Sequence, residues 1–168
     1  MRSTVFLVLG FLTLGGLCLA YGDPAPPSAP GGAMDHALNI KPENMKWGPI
    51  FPELKDKSPQ IVILHTDAKS GATQLMIRVP ANFHVPMHWH TANETHTVLS
   101  GTLIMECEGS REALGAGSFN YIPGKMHHQA WTTPDEGVLV FITVDGPWDL
   151  NWVNGPPKPG DLAGGMKP

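Results

Sequence analysis

The stretch "HVPMHWHTANETHTVLSG", residues 84–101, carries four histidines and a glutamate and no other charged side chain. Imidazole nitrogens and carboxylate oxygens are ligands for first-row transition metals, so a cluster of them points to a metal site. In an extended strand, side chains two apart share a face, which puts His88 and His90 together with Trp89 opposite. The residues "TAN" then turn the chain, and Glu94 and His96 begin the next strand. A hairpin here would carry Glu94 to the histidine pair. A further ligand is available in "GSFNYIPGKMHHQAW", where Pro123 and Gly124 make a turn and a strand follows. Alternation groups His128 with Met126 and Ala130, and His127 with Gln129 and Trp131, so only one of the two histidines can face inward.

These residues need a scaffold that holds strands face to face. After Ser58 the chain is a series of short runs rich in β-branched and apolar residues: "QIVILHT", "ATQLMIRV", "THTVLS", "TLIMECE", "REAL", "SFNYI", "HQAWTT" and "GVLVFITV". Gly, Pro, Asn and Asp separate them, at a spacing of about ten residues that indicates an all-β sandwich or barrel. No long stretch has the apolar period of an amphipathic helix, and there is no internal repeat. At 168 residues there is room for one domain with appendages. Residues 60–153 are expected to form the barrel and 36–59 an N-terminal segment laid over it. Residues 154–168, rich in proline and glycine, are expected to be a flexible tail.

The chain opens "MRSTVFLVLGFLTLGGLCLAYGDPA", with Arg2 ahead of an uncharged apolar run that ends in small residues. This is the pattern of a secretory signal, expected over residues 1–22 and followed by a Pro/Gly/Ala-rich linker at 23–35. Export to the periplasm or the medium is the expected localisation, with no stable membrane insertion once the signal is cleaved. Of the two cysteines, Cys18 would leave with the signal, so Cys107 would have no partner and the fold would depend on its core alone.

The first histidine stretch resembles the first motif of the cupin superfamily, also called RmlC-like, through His88, His90, Glu94 and Gly101; Asn82 stands where the motif has its leading glycine. The second resembles the second cupin motif through Gly117, Pro123 and His128, with Lys125 in place of a glycine and Thr132 in place of the final asparagine. The resemblance implies a single-domain all-β cupin, a double-stranded β-helix or jelly-roll barrel preceded by the signal peptide and linker. It also implies a metal inside the barrel, held by His88, His90, Glu94 and His128, and selects His128 over His127. One divalent transition metal per chain is expected, with Zn, Fe(II) and Mn(II) all compatible with three imidazoles and a carboxylate. The sequences "HWHTANETHTVLSGTL" and "PGKMHHQAW" are further similar to the ChrR-type cupins, a branch with zinc-bearing anti-sigma domains and a diketone-cleaving dioxygenase.

Other residues divide by parity. His96 shares the inward face with Glu94 and is a candidate hydrogen-bond partner for a ligand or a pocket residue. His84 and His127 are expected at the surface or rim, Trp89 and Trp131 away from the metal, and Met76, Met87, Met105 and Met126 as filler, with Met105 and Met126 also candidates for the pocket lining. The two tryptophans of "VDGPWDLNWV" are placed to cover the barrel mouth or meet a neighbouring subunit.

A formal net charge of −4 with 15 % charged and 42 % hydrophobic residues offers no basic field to a phosphate backbone, so nucleic acid is excluded as a partner. The expected partners are a small-molecule ligand or substrate and a second copy of the chain in a homodimer. The interior positions near the motifs are Met, Val, Leu and Ile, which disfavours a sugar phosphate. The expected function is that of an exported metal-binding cupin, as an oxygenase, lyase or isomerase on a small organic molecule. The alternative is a non-catalytic metal- or ligand-binding or sensing cupin.

Overall fold

The computed structural model describes residues 37–168; the expected signal and linker lie outside the described residues. Eleven strands run through them: β1 (Gly48–Pro49), β2 (Gln60–Thr66), β3 (Thr73–Val79), β4 (His84–Trp89), β5 (Glu94–Gly101), β6 (Leu103–Cys107), β7 (Ser110–Leu114), β8 (Phe119–Ile122), β9 (His128–Thr132), β10 (Val138–Val144) and β11 (Asn151–Trp152). Two antiparallel sheets result, one ordered β1-β2-β3-β10-β5-β8 and the other β11-β4-β9-β6-β7. This is the expected jelly roll.

Alternation along the strands fixes what lies between the sheets. Strand β10 buries Val138, Val140, Ile142 and Val144 and turns Leu139, Phe141 and Thr143 outward, while β3 buries Thr73, Leu75 and Ile77. Facing them, Leu103, Met105 and Ala130 come from the smaller sheet and complete one core cluster. Strand β5 buries Glu94, His96 and Val98, so two polar side chains share an inward face with the core.

The hairpin expected at "TAN" does not form. Strand β4 pairs with β9 and β11, and β5 with β10 and β8, so residues 91–93 carry the chain from one sheet to the other. Glu94 still reaches the histidines, because it faces them across the interior.

The tail also differs from expectation. Leu162 is 1 % exposed, Ala163 bridges to Phe83, and the amides of Gly164 and Met166 donate to Asn82 and Thr132 carbonyls at 3.1 and 3.0 Å. A buried leucine together with these backbone contacts pins a segment that composition alone reads as loose. At the other end, Arg78 sits over the Trp47 ring at 4.5 Å, and Phe51 stacks on Phe83, so the segment before β2 contacts the barrel at these two points.

Candidate metal centre

His88 lies on β4, His90 follows its last residue, and His128 opens β9, directly opposite His88 in the strand register. All three are buried, and their ligand atoms lie within 4.8 Å of one another, a group that could hold a metal ion. The ring orientations are fixed from behind. His88 Nδ1 donates to the Pro86 carbonyl at 2.7 Å, His128 Nδ1 to the Met126 carbonyl at 3.0 Å, and His90 Nδ1 to the Asp149 carbonyl. A carbonyl oxygen only accepts, so each Nδ1 carries a proton, and in the neutral imidazole Nε2 is left to present a lone pair inward. Backbone carbonyls behind the ring are the usual means of orienting a metal-binding histidine.

Glu94 stands beside this group, 1 % exposed, with Oε2 3.0 Å from His90 Nε2 and 3.4 Å from His96 Nε2. Its Oε1 accepts from Trp148 Nε1 at 3.1 Å, whereas Oε2 has no well-aligned hydrogen-bond partner at all. Burying a carboxylate oxygen without a partner costs several kcal/mol, and a cation shared with the three Nε2 atoms would remove that cost. The donor set present therefore fits a divalent transition metal.

The titration behaviour follows the same geometry. Burial, reinforced by the neighbouring imidazoles, pushes His88 well below its ordinary value, and burial takes His128 down to about 4. Burial opposes the charge on His90 too, but the Glu94 carboxylate outweighs it and the net shift is upward. Burial likewise opposes the charge of Glu94, yet His96 and His90 draw its carboxyl down to about 2. The centre thus has two imidazoles held neutral and a carboxylate held ionised, the forms that bind metal.

His96 is buried, with Nδ1 2.8 Å from Asn120 Oδ1, and it lines the pocket next to Glu94. His127 is exposed, and His84 stacks on Trp131 with ring centroids 4.8 Å apart, outside the pocket. The pocket together with its mouth, open solvent included, spans about 620 Å³. Beyond the four candidate ligands, His96 and Trp148, its walls are apolar, with Ile50 and Phe51 from the N-terminal segment, Met105 and Val140 from the sheets, and Leu150. Met105 lines it as expected, whereas Met126 does not. Cys107 is partly buried and burial pushes its thiol up, away from nucleophilic use.

The residue missed from sequence is Trp148. Its position after the last long strand suggested a cover for the barrel mouth, but an indole N–H aimed at one specific carboxylate has no spacing rule.

A family model described as the ChrR cupin-like domain matches residues 35–147. No curated protein sequence matches the chain. Among solved structures, the chain is similar to the polyketide cyclase RemF from Streptomyces resistomycificus, at 20 % identity and TM-score 0.59, covering 70 % of this chain and 86 % of that one. It is similar to the DMSP lyase DddQ from Ruegeria pomeroyi DSS-3, at 19 % identity and TM-score 0.56, over 68 % of this chain and 64 % of that one. KdgF from Halomonas sp. matches at 14 % identity and TM-score 0.55, over 66 % of this chain and 94 % of that one.

Proposed function

The chain belongs to the ChrR cupin-like domain family, and we propose that it is an exported metal-binding cupin in which His88, His90, Glu94 and His128 hold one divalent transition metal. The observation that carries this reading is the buried Glu94 Oε2, without an aligned hydrogen-bond partner beside three imidazoles whose Nδ1 atoms are already engaged.

The reading extends to enzyme activity on a small, largely apolar organic molecule, as an oxygenase or a related lyase or isomerase. The metal, when bound, supplies Lewis acidity or redox chemistry to a substrate oxygen. The chain itself supplies the dry walls and one polar pocket group outside the ligand set that is positioned beside Glu94, His96. Among the described residues no Lys, Arg or Asp side chain lines the pocket, which argues against a phosphorylated or strongly anionic substrate. The fold is one that a polyketide cyclase and a DMSP lyase also use.

A homodimer belongs to the same proposal. Phe119, Tyr121 and Leu99 are 64 %, 55 % and 46 % exposed on the outer face of β8 and β5, where β8 is the last strand of its sheet among the described residues. A second copy of the chain is the occupant proposed for that face.

The second reading, a non-catalytic metal or ligand binder, is favoured by the absence, among the described residues, of any pocket acid or nucleophile outside the ligand set other than His96. Oxygen uptake with small neutral carbonyl and phenolic compounds separates the two. Turnover by iron- or manganese-loaded protein, abolished in His88→Ala, supports the enzyme; tight zinc binding with no turnover for any loaded metal supports the binder.

A further inference from the structure

The two ends of the turn that links β4 to β5 are His90 and Glu94, and a single segment after β10 holds both. Trp148 Nε1 donates to Glu94 Oε1 at 3.1 Å, and the carbonyl of the adjacent Asp149 accepts from His90 Nδ1. The residues between are held as well. The Asp149 carboxylate accepts from the Thr91 amide at 2.8 Å and from the Thr91 hydroxyl. The Asp145 carboxylate accepts from the Asn93 amide at 2.9 Å and from its side-chain nitrogen, and the Asp145 amide donates back to the Asn93 carbonyl at 3.2 Å. Gly146 lies so close to the turn that an added Cβ would come within 3.1 Å of the Ala92 side chain.

We propose that residues 145–150 are a strap that completes the metal centre, with Trp148 as the positioning residue for Glu94. This rests on the metal reading of the site. The indole N–H occupies Oε1, so the carboxylate is turned to offer Oε2 alone toward the three imidazoles. Asp149, through its main chain, fixes the tautomer of His90, and through its side chain holds the turn at the spacing that His90 and Glu94 need. Hydrogen-bond partners behind metal ligands commonly change affinity ten- to a hundredfold. The ChrR cupin-like match ends at residue 147, so Trp148 and Asp149 stand outside the matched region.

The test is Zn(II) affinity by competition with a chromophoric chelator, together with the Co(II) absorption spectrum, on the full chain. Trp148→Phe keeps the aromatic wall and removes the donor. Its Zn(II) affinity is expected to fall about ten- to a hundredfold, with moved Co(II) d–d bands and an unchanged circular dichroism spectrum of the metal-free protein. Asp149→Ala is expected to weaken binding in the same direction, and Trp47→Phe, on the outer face, to leave affinity and bands unchanged. A loss of packing alone would lower the melting temperature without moving the Co(II) bands. Wild-type affinity and bands in Trp148→Phe would overturn the strap proposal while leaving the metal reading intact. If Trp148→Phe does not fold, Asp149→Ala decides in the same way. A wild-type chain that binds neither Zn(II) nor Co(II) would overturn the metal reading, and this inference with it.

Discussion

His88 and His128 stand directly opposite each other across β4 and β9, with ring centroids 4.1 Å apart. Each has its Nδ1 proton committed to a backbone carbonyl two residues upstream, so two buried side chains each present a lone pair to the pocket. Neither, in its neutral form, can donate to the other, and a shared cation would satisfy both.

Metal should therefore stabilise the fold. At an ion concentration a thousand times the dissociation constant, linkage gives about 4 kcal/mol, which for a domain of this size raises the melting temperature by roughly 10 °C or more. Adding Zn(II) or Fe(II) to chelator-treated protein and following thermal unfolding measures this. Glu94→Gln, which keeps the shape and removes the charge, is expected to lose most of the shift, and a full shift in that variant would remove Glu94 from the ligand set.

Acid should destabilise the metal-free protein in two stages. His88 and His128 have folded values below the ordinary 6.5, so the unfolded chain takes up their protons first. Their contribution is present above pH 6.5 and is lost as pH falls toward about 4, the folded value of His128. His90 works in the opposite direction, since its raised value makes its contribution complete below 6.5 and lost as pH rises through it. Two groups outweigh one. Glu94, drawn from 4.5 to about 2, adds a second loss between those values. Melting temperatures recorded from pH 7 to pH 3 should fall by several degrees between 6.5 and 4, less steeply in His128→Ala. A flat or rising profile there would contradict the burial of two neutral imidazoles.

Much of this was legible in the sequence, because the fold and the ligand-type residues follow from period and spacing. Alternation grouped His88 with His90 and Glu94 with His96, whereas the choice of His128 over His127 came from the cupin resemblance, which alternation only permits. The departures from the cupin motifs prove conservative in conformation. Asn82 and Lys125, standing where the motifs have glycine, take φ +58° and +66°, beside +77° at Gly101 and +85° at Gly117. Thr132, in place of asparagine, still bridges, accepting from the Phe83 amide at 2.9 Å and donating to the Pro80 carbonyl at 2.8 Å. What could not be read was long-range partnership. That β4 and β5 belong to different sheets, that Leu162 folds back on β4, and that Trp148 meets Glu94 across 54 positions all depend on how the sheets close.

Those left-handed positions give a stability prediction. Lys125 pays about 1–2 kcal/mol for its conformation, part of which glycine would return as unfolded-state entropy. Lys125→Gly is expected to be neutral to stabilising by about 1 kcal/mol in urea unfolding. Gly101→Ala is the converse: besides its positive φ, an added Cβ would lie 2.0 Å from the Gly137 carbonyl oxygen. A loss of about 3 kcal/mol or more is expected. Equal stability of Gly101→Ala and wild type would mean that the β5–β10 register near Gly137 is not as described.

The most direct measurement is the metal content of the protein isolated from its native compartment, by elemental mass spectrometry, beside His88→Ala and His128→Ala isolated in the same way. One transition-metal ion per chain in the wild type, lost in both variants while their circular dichroism stays that of a β protein, is the expected result. A folded wild-type protein that carries no transition metal and takes none up on reconstitution would contradict the assignment of this site.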